Sequence, residues 1–141
     1  MSLLPEVSDP RLRLGTTAIA VAMALVVASG WIPGWYAWVG GERLLLGLFV
    51  LSPLDDITHG LTALAFLYAA VRNTPAVSRF LCAMFGGYYS LDAIFFLGYG
   101  FVNEKTWLQD IALNAPHVLL GSLLMVLAYR GSGALAWRRL S

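Results

Sequence analysis

Only two histidines occur in the chain, His59 and His117, and both sit in the same local pattern. Three residues before each stands a side chain with an acceptor oxygen, Asp56 or Asn114. Four residues after each stands a small one, Ala63 or Gly121. Residues three and four apart share a helix face, so each pattern would set acceptor, imidazole and small residue in one row. The acceptor could orient the ring from the helix start, and the small residue one turn deeper would admit a second helix at close range. A further polar residue, Asp92, is the only charge in the apolar run 80–101.

These residue types allow three chemistries. Asp92 with one histidine, tuned by burial, would form a proton- or ion-handling cluster. His59 and His117 at similar depth could ligate haem iron axially, or one of them a chlorin magnesium. The third use is an interhelical hydrogen bond that fixes helix register, which polar residues commonly serve between membrane helices. It is the preferred reading of Asp92. A non-haem metal would need more ligands than Asp55 or Asp56 could add, so no metal site is assigned. No glycine-rich phosphate loop, nucleophile elbow or zinc-protease signature is present, and Ser90 and Asp92 fall on different helical faces. No catalytic residue is therefore assigned. Cys82, the single cysteine, lies in an apolar run and reads as a small packing residue without a disulfide.

The elements that must position these groups follow from composition. Hydrophobic residues make up 59% of the chain and charged ones 12%, about half the charged share of an ordinary soluble domain. With a mean hydropathy of +0.73, the expected solvent is lipid. About 20 mostly apolar residues are needed to cross a bilayer as a helix. Four segments approach that length, at about 16–38, 53–71, 80–101 and 111–129. Arg11 and Arg13 before the first resemble the start of a signal peptide. The apolar run is too long for one and no small-x-small cleavage site follows, so it reads as a retained span. Ser52 and Pro53 read as a cap and a first-turn proline, with Asp55 and Asp56 at the positive helix end. The apolar piece 44–51 is too short to span and is expected as a short interfacial helix in the first outer loop.

Orientation follows from the arginines and lysine. Arg11, Arg13, Arg72, Arg79, Arg130, Arg138 and Arg139 fall on one side of a four-span arrangement, Arg43 and Lys105 on the other. Basic residues collect in cytoplasmic loops, which predicts two cytoplasmic termini. Trp31, Trp35, Tyr36, Trp38 and Trp107 would then form an outer aromatic belt and Trp137 part of an inner one. The basic residues form no stripe suited to nucleic acid. Each half of the sequence runs as a span, a polar outer loop and a shorter span opening on polar-x-x-His, which reads as a parallel internal repeat.

The run Gly30-Trp31-Ile32-Pro33-Gly34, then Leu45-Leu46-Gly47-Leu48-Phe49 leading to Pro53 and His59, resembles a bacterial family of four-span membrane proteins, domain of unknown function 4383. Asn114-x-x-His117-x-x-x-Gly121 is similar to that family's His-Leu-x-x-Gly signature, over a resemblance covering about 12–130. Gly60 and Ala63 after the first histidine, and Pro116 before the second, depart from the pattern. The resemblance implies a fold and carries no activity. The expected fold is an all-α four-helix transmembrane bundle of two tandem hairpins. The expected function is a non-enzymatic accessory or scaffold subunit in the inner membrane, with lipid and other membrane subunits, or copies of itself, as partners. A haem or chlorin protein using His59 and His117 and a small proton-linked transporter using Asp92 are the alternatives.

Overall fold

A computed structural model describes residues 9–39, 42–47, 49–102 and 107–129. It consists of four helices and one small sheet, divided into two compact units, 8–73 and 74–141 with the first seven residues. Each unit contains one antiparallel helical hairpin.

In the first unit, α1 spans Pro10–Ser29 and α2 spans Pro53–Arg72. Asp9 caps α1, its carboxylate accepting from the amides of Arg11 at 3.1 Å and Leu12 at 3.2 Å. Pro10 follows at the first helical position, where a missing N–H costs nothing. At the start of α2, Ser52 and Asp55 form a reciprocal capping box, with Pro53 between them and Asp56 also in the first turn. Asn73 closes α2 in the left-handed region. Leu12, Ile19, Ala20 and Met23 of α1 and Phe66, Ala69 and Ala70 of α2 are buried. Thr16 and Thr62 are buried among them and turn their hydroxyls onto their own helices, at Arg13 O and Thr58 O.

Between these helices the chain is not helical, which corrects two expectations. The first helix ends at Ser29, well short of position 38, and the piece 44–51 is no interfacial helix. Instead β1 (Tyr36–Val39), β2 (Glu42–Leu45) and β3 (Phe49–Leu51) form an antiparallel sheet in that order. Tyr36 pairs with Leu45 and Val39 with Glu42, while Arg43 pairs with Leu51. Leu46 and Gly47 take positive φ, 51° and 70°, which breaks the apolar run into two strands. Alternation completes the reason, for Arg43, Leu45 and Leu51 are buried while Leu46 and Val50 are exposed. Gly47→Ala should therefore cost about 1 kcal/mol, the penalty of a Cβ in left-handed backbone, read as a lower thermal midpoint in detergent.

In the second unit, α3 runs from Pro75 to Val102 and α4 from Trp107 to Tyr129, with Pro116 inside α4. Two stretches, Pro10–Ser29 and Pro75–Gly98, are long and apolar enough to cross a membrane. Of an apolar stretch of 18 residues in each, 28% and 22% is buried. Twenty residues of α1 make about 30 Å of helix, the thickness of a bilayer's hydrocarbon. Glu104, Lys105, Arg130, Trp137, Arg138 and Arg139 lie outside the described residues, as do the side chains of Trp107 and Asp110.

Candidate functional site

The polar centre of the second hairpin is built where α3 and α4 cross at glycines. A Cβ on Gly121 would lie 2.6 Å from Ser90 Oγ and 3.0 Å from Ser90 N. One on Gly86 would lie 3.1 Å from both Leu124 Cβ and Met125 N. The helices thus approach with backbone nearly on backbone, which only glycine at both points allows. Cys82, Tyr89, Ala93, Leu124 and Ala128 are buried around this crossing.

One turn along from the glycine contact, that approach brings Asp92 of α3 against His117 of α4. Their Oδ2 and Nδ1 atoms stand 2.9 Å apart. The contact has the separation of an ion pair rather than the alignment of a hydrogen bond. Both side chains are largely covered, 19% and 27% exposed, so the surrounding medium screens them weakly. Tyr89, fully buried, lays its ring 5.5 Å from the imidazole. Asn114, three residues before His117, is also buried. The hairpin therefore gathers four of the sequence-predicted residues, Asp92, Asn114, His117 and Gly121, and adds Tyr89 and Ser90.

The first hairpin treats its own motif differently. Asp56, expected to orient His59, forms an ion pair with Arg43 of β2. The Arg43 guanidinium lies 4.2 Å from the centre of the Trp31 ring, a cation–π arrangement. A Cβ on Gly30 would meet Leu51 Cδ1 at 2.8 Å and Arg43 Cζ at 3.7 Å. Arg43 is thereby shut in at 3% exposed. Among the described residues its Nε and Nη1 have no hydrogen-bond partner. One signal in the sequence pointed to this residue. A lone arginine at the head of an apolar run, upstream of two aspartates, has to be neutralised before it can be covered. His59 and Ala63 are half-buried on α2.

Chemically, the arrangement can hold a charge pair at each of two places and can pin helix register. No group of three or more histidine, cysteine, aspartate or glutamate side chains converges among the described residues. His59 and His117 belong to different hairpins. An imidazole whose Nδ1 faces a carboxylate, as in His117, is oriented with its other nitrogen directed away from that carboxylate. No family model, curated protein or solved structure matches the chain.

Proposed function

We propose that the protein is a four-span integral protein of the bacterial inner membrane, with cytoplasmic termini, acting as a non-enzymatic accessory or scaffold subunit. The observation that carries this reading is the outward row on α2. Leu54, Ile57, Leu61, Leu64, Tyr68 and Val71 recur at alternating intervals of three and four, and each is at least half exposed. Such a seam is the pattern by which one helix packs along another. On α3, Phe80, Leu91, Ile94 and Phe95 are also more than 60% exposed. Polar groups meanwhile turn inward and pair, Arg43 with Asp56 and Asp92 with His117. An apolar exterior over paired charges suits lipid and other membrane helices as neighbours.

Gentle native extraction tests this. The protein is expected to run within a larger assembly, and Asp92→Asn is expected to leave it there. The amide preserves shape and removes only the carboxylate's charge, so this change should cost about 1 kcal/mol, the scale of a partly covered ion pair. A protein that runs alone in every native extract would sink the reading.

The 2.9 Å approach of Asp92 to His117 also favours a second reading, a small proton-linked transporter in which this pair carries the proton. It predicts flux driven by a pH gradient in proteoliposomes and its loss in Asp92→Asn. The cofactor reading of His59 and His117 predicts a visible absorption band that is lost when both become alanine.

A further inference from the structure

At the end of the first hairpin opposite the sheet, α1 and the end of α2 leave an open groove of about 280 Å³ lined by Pro10, Arg13, Leu14, Thr17 and Asn73. The Thr17 hydroxyl donates to Arg13 O at 2.8 Å. The remaining side chains with donors among the lining residues are those of Arg13 and Asn73. Neither has a side-chain partner among the described residues. Asn73 is fixed in place, because its backbone takes the left-handed conformation that ends α2 and its amide donates to Ala69 O. Arg11 and Arg72 lie at the same end of the hairpin. Asp9, the acid nearest in sequence, has an oxygen on the Arg11 and Leu12 amides as the helix cap. Among the described residues at this end, Arg11, Arg13 and Arg72 outnumber the one acid, Asp9.

From Leu14 onward the surface is apolar. Leu14, Val21 and Leu25, 71%, 53% and 63% exposed, are spaced by seven and four residues and share the α1 face that begins at the groove. A cationic head with a planar amide beside it, continued by an exposed apolar row, matches an ester-linked phosphate with a hydrocarbon chain. A free phosphate would leave Leu14 and the row behind it uncovered.

We infer that this groove binds an anionic phospholipid of the cytoplasmic leaflet, its phosphate on Arg13 and Asn73 and an acyl chain along Leu14, Val21 and Leu25. The inference rests on the membrane reading and the orientation given above, and it adds a defined lipid site to them. It separates Arg13, which lines the groove, from Arg11, which does not.

The test uses the full chain in mild detergent, offered equal phosphatidylglycerol and phosphatidylcholine, with retained lipid counted by native mass spectrometry. Wild type should retain phosphatidylglycerol in preference. Arg13→Gln should lower that preference about five-fold, the factor equivalent to about 1 kcal/mol for one arginine at an anionic surface. Asn73→Gly, which keeps the left-handed cap and removes the carboxamide, should lower it as well, while Arg11→Gln should change it less than two-fold. Equal losses from Arg11→Gln and Arg13→Gln, or no preference in wild type, would overturn the site. Displacement of the lipid by excess inorganic phosphate would overturn the lipid assignment. Retention of wild type on phosphatidylcholine vesicles through an alkaline wash reads membrane insertion separately. A protein retained there without lipid preference loses only the groove, and one washed off loses both.

Discussion

Truncating Arg43 to alanine should destabilise the first hairpin by about 3 kcal/mol, a typical cost of breaking a buried ion pair by removing one partner. The guanidinium is covered by Trp31, Leu51 and Gly30 and neutralises Asp56. Without it, the Asp56 carboxylate, 15% exposed, keeps its desolvation cost and loses its counter-charge. The cation–π contact with Trp31 disappears at the same time, and a cavity opens under the sheet. Denaturant titration in mixed micelles, followed by Trp fluorescence, would read the change. The mechanism makes a sharper demand on the double variant. Adding Asp56→Ala to Arg43→Ala removes the stranded charge and should recover about 1 kcal/mol or more. Simple additivity of the two single changes would mean that the pair contributes by packing alone.

Gly121→Val should be as damaging in the second hairpin, at about 3 kcal/mol. Even a single Cβ at this position falls 2.6 Å from Ser90 Oγ and 3.0 Å from Ser90 N. The hydroxyl can rotate away and the backbone nitrogen cannot. Gly121→Ala should therefore cost about 2 kcal/mol in the native background and about half that beside Ser90→Ala, because part of the clash has been removed. Separation of α3 from α4 would also pull Asp92 away from His117, so the valine variant should lose the effect of Asp92→Asn on stability. Equal costs of Gly121→Ala with and without the Ser90 hydroxyl would place the strain elsewhere.

Local signals carried much of this architecture. Ser52, Pro53, Asp55 and Asp56 announce the start of α2, and its helix begins at Pro53 as they indicate. A lone acid deep in one apolar segment needs a partner, which made a histidine a candidate for Asp92, but sequence alone could not say which of the two; it is His117 that stands 2.9 Å away. Other boundaries were missed where hydropathy outweighed caps. Asp9-Pro10 and Pro75 open helices several residues before the apolar runs begin, since Arg11, Arg13 and Arg79 interrupt apolarity without interrupting helix. The sheet was missed for a different reason. Leucine-rich strands and short buried helices look alike over eight residues, and the deciding feature is the positive φ at Leu46 and Gly47. The Arg43–Asp56 pair depends on that sheet. Strand β2 delivers the guanidinium to the cap of α2, and no helix-based reading could bring the two together.

Each hairpin holds both members of its own ion pair, and this bears on how the chain is made. A nascent segment that carries an unmatched charge must wait at the translocon for a later segment to neutralise it. Here Arg43 precedes Asp56 by 13 residues, and Asp92 and His117 stand on the two helices of the second hairpin. On the membrane reading, the first half could therefore enter the bilayer with Arg43 and Asp56 already matched before the second has been translated. On the membrane reading proposed above, insertion would proceed by hairpins, with the junction between Asn73 and Pro75 as the pause between two insertion events.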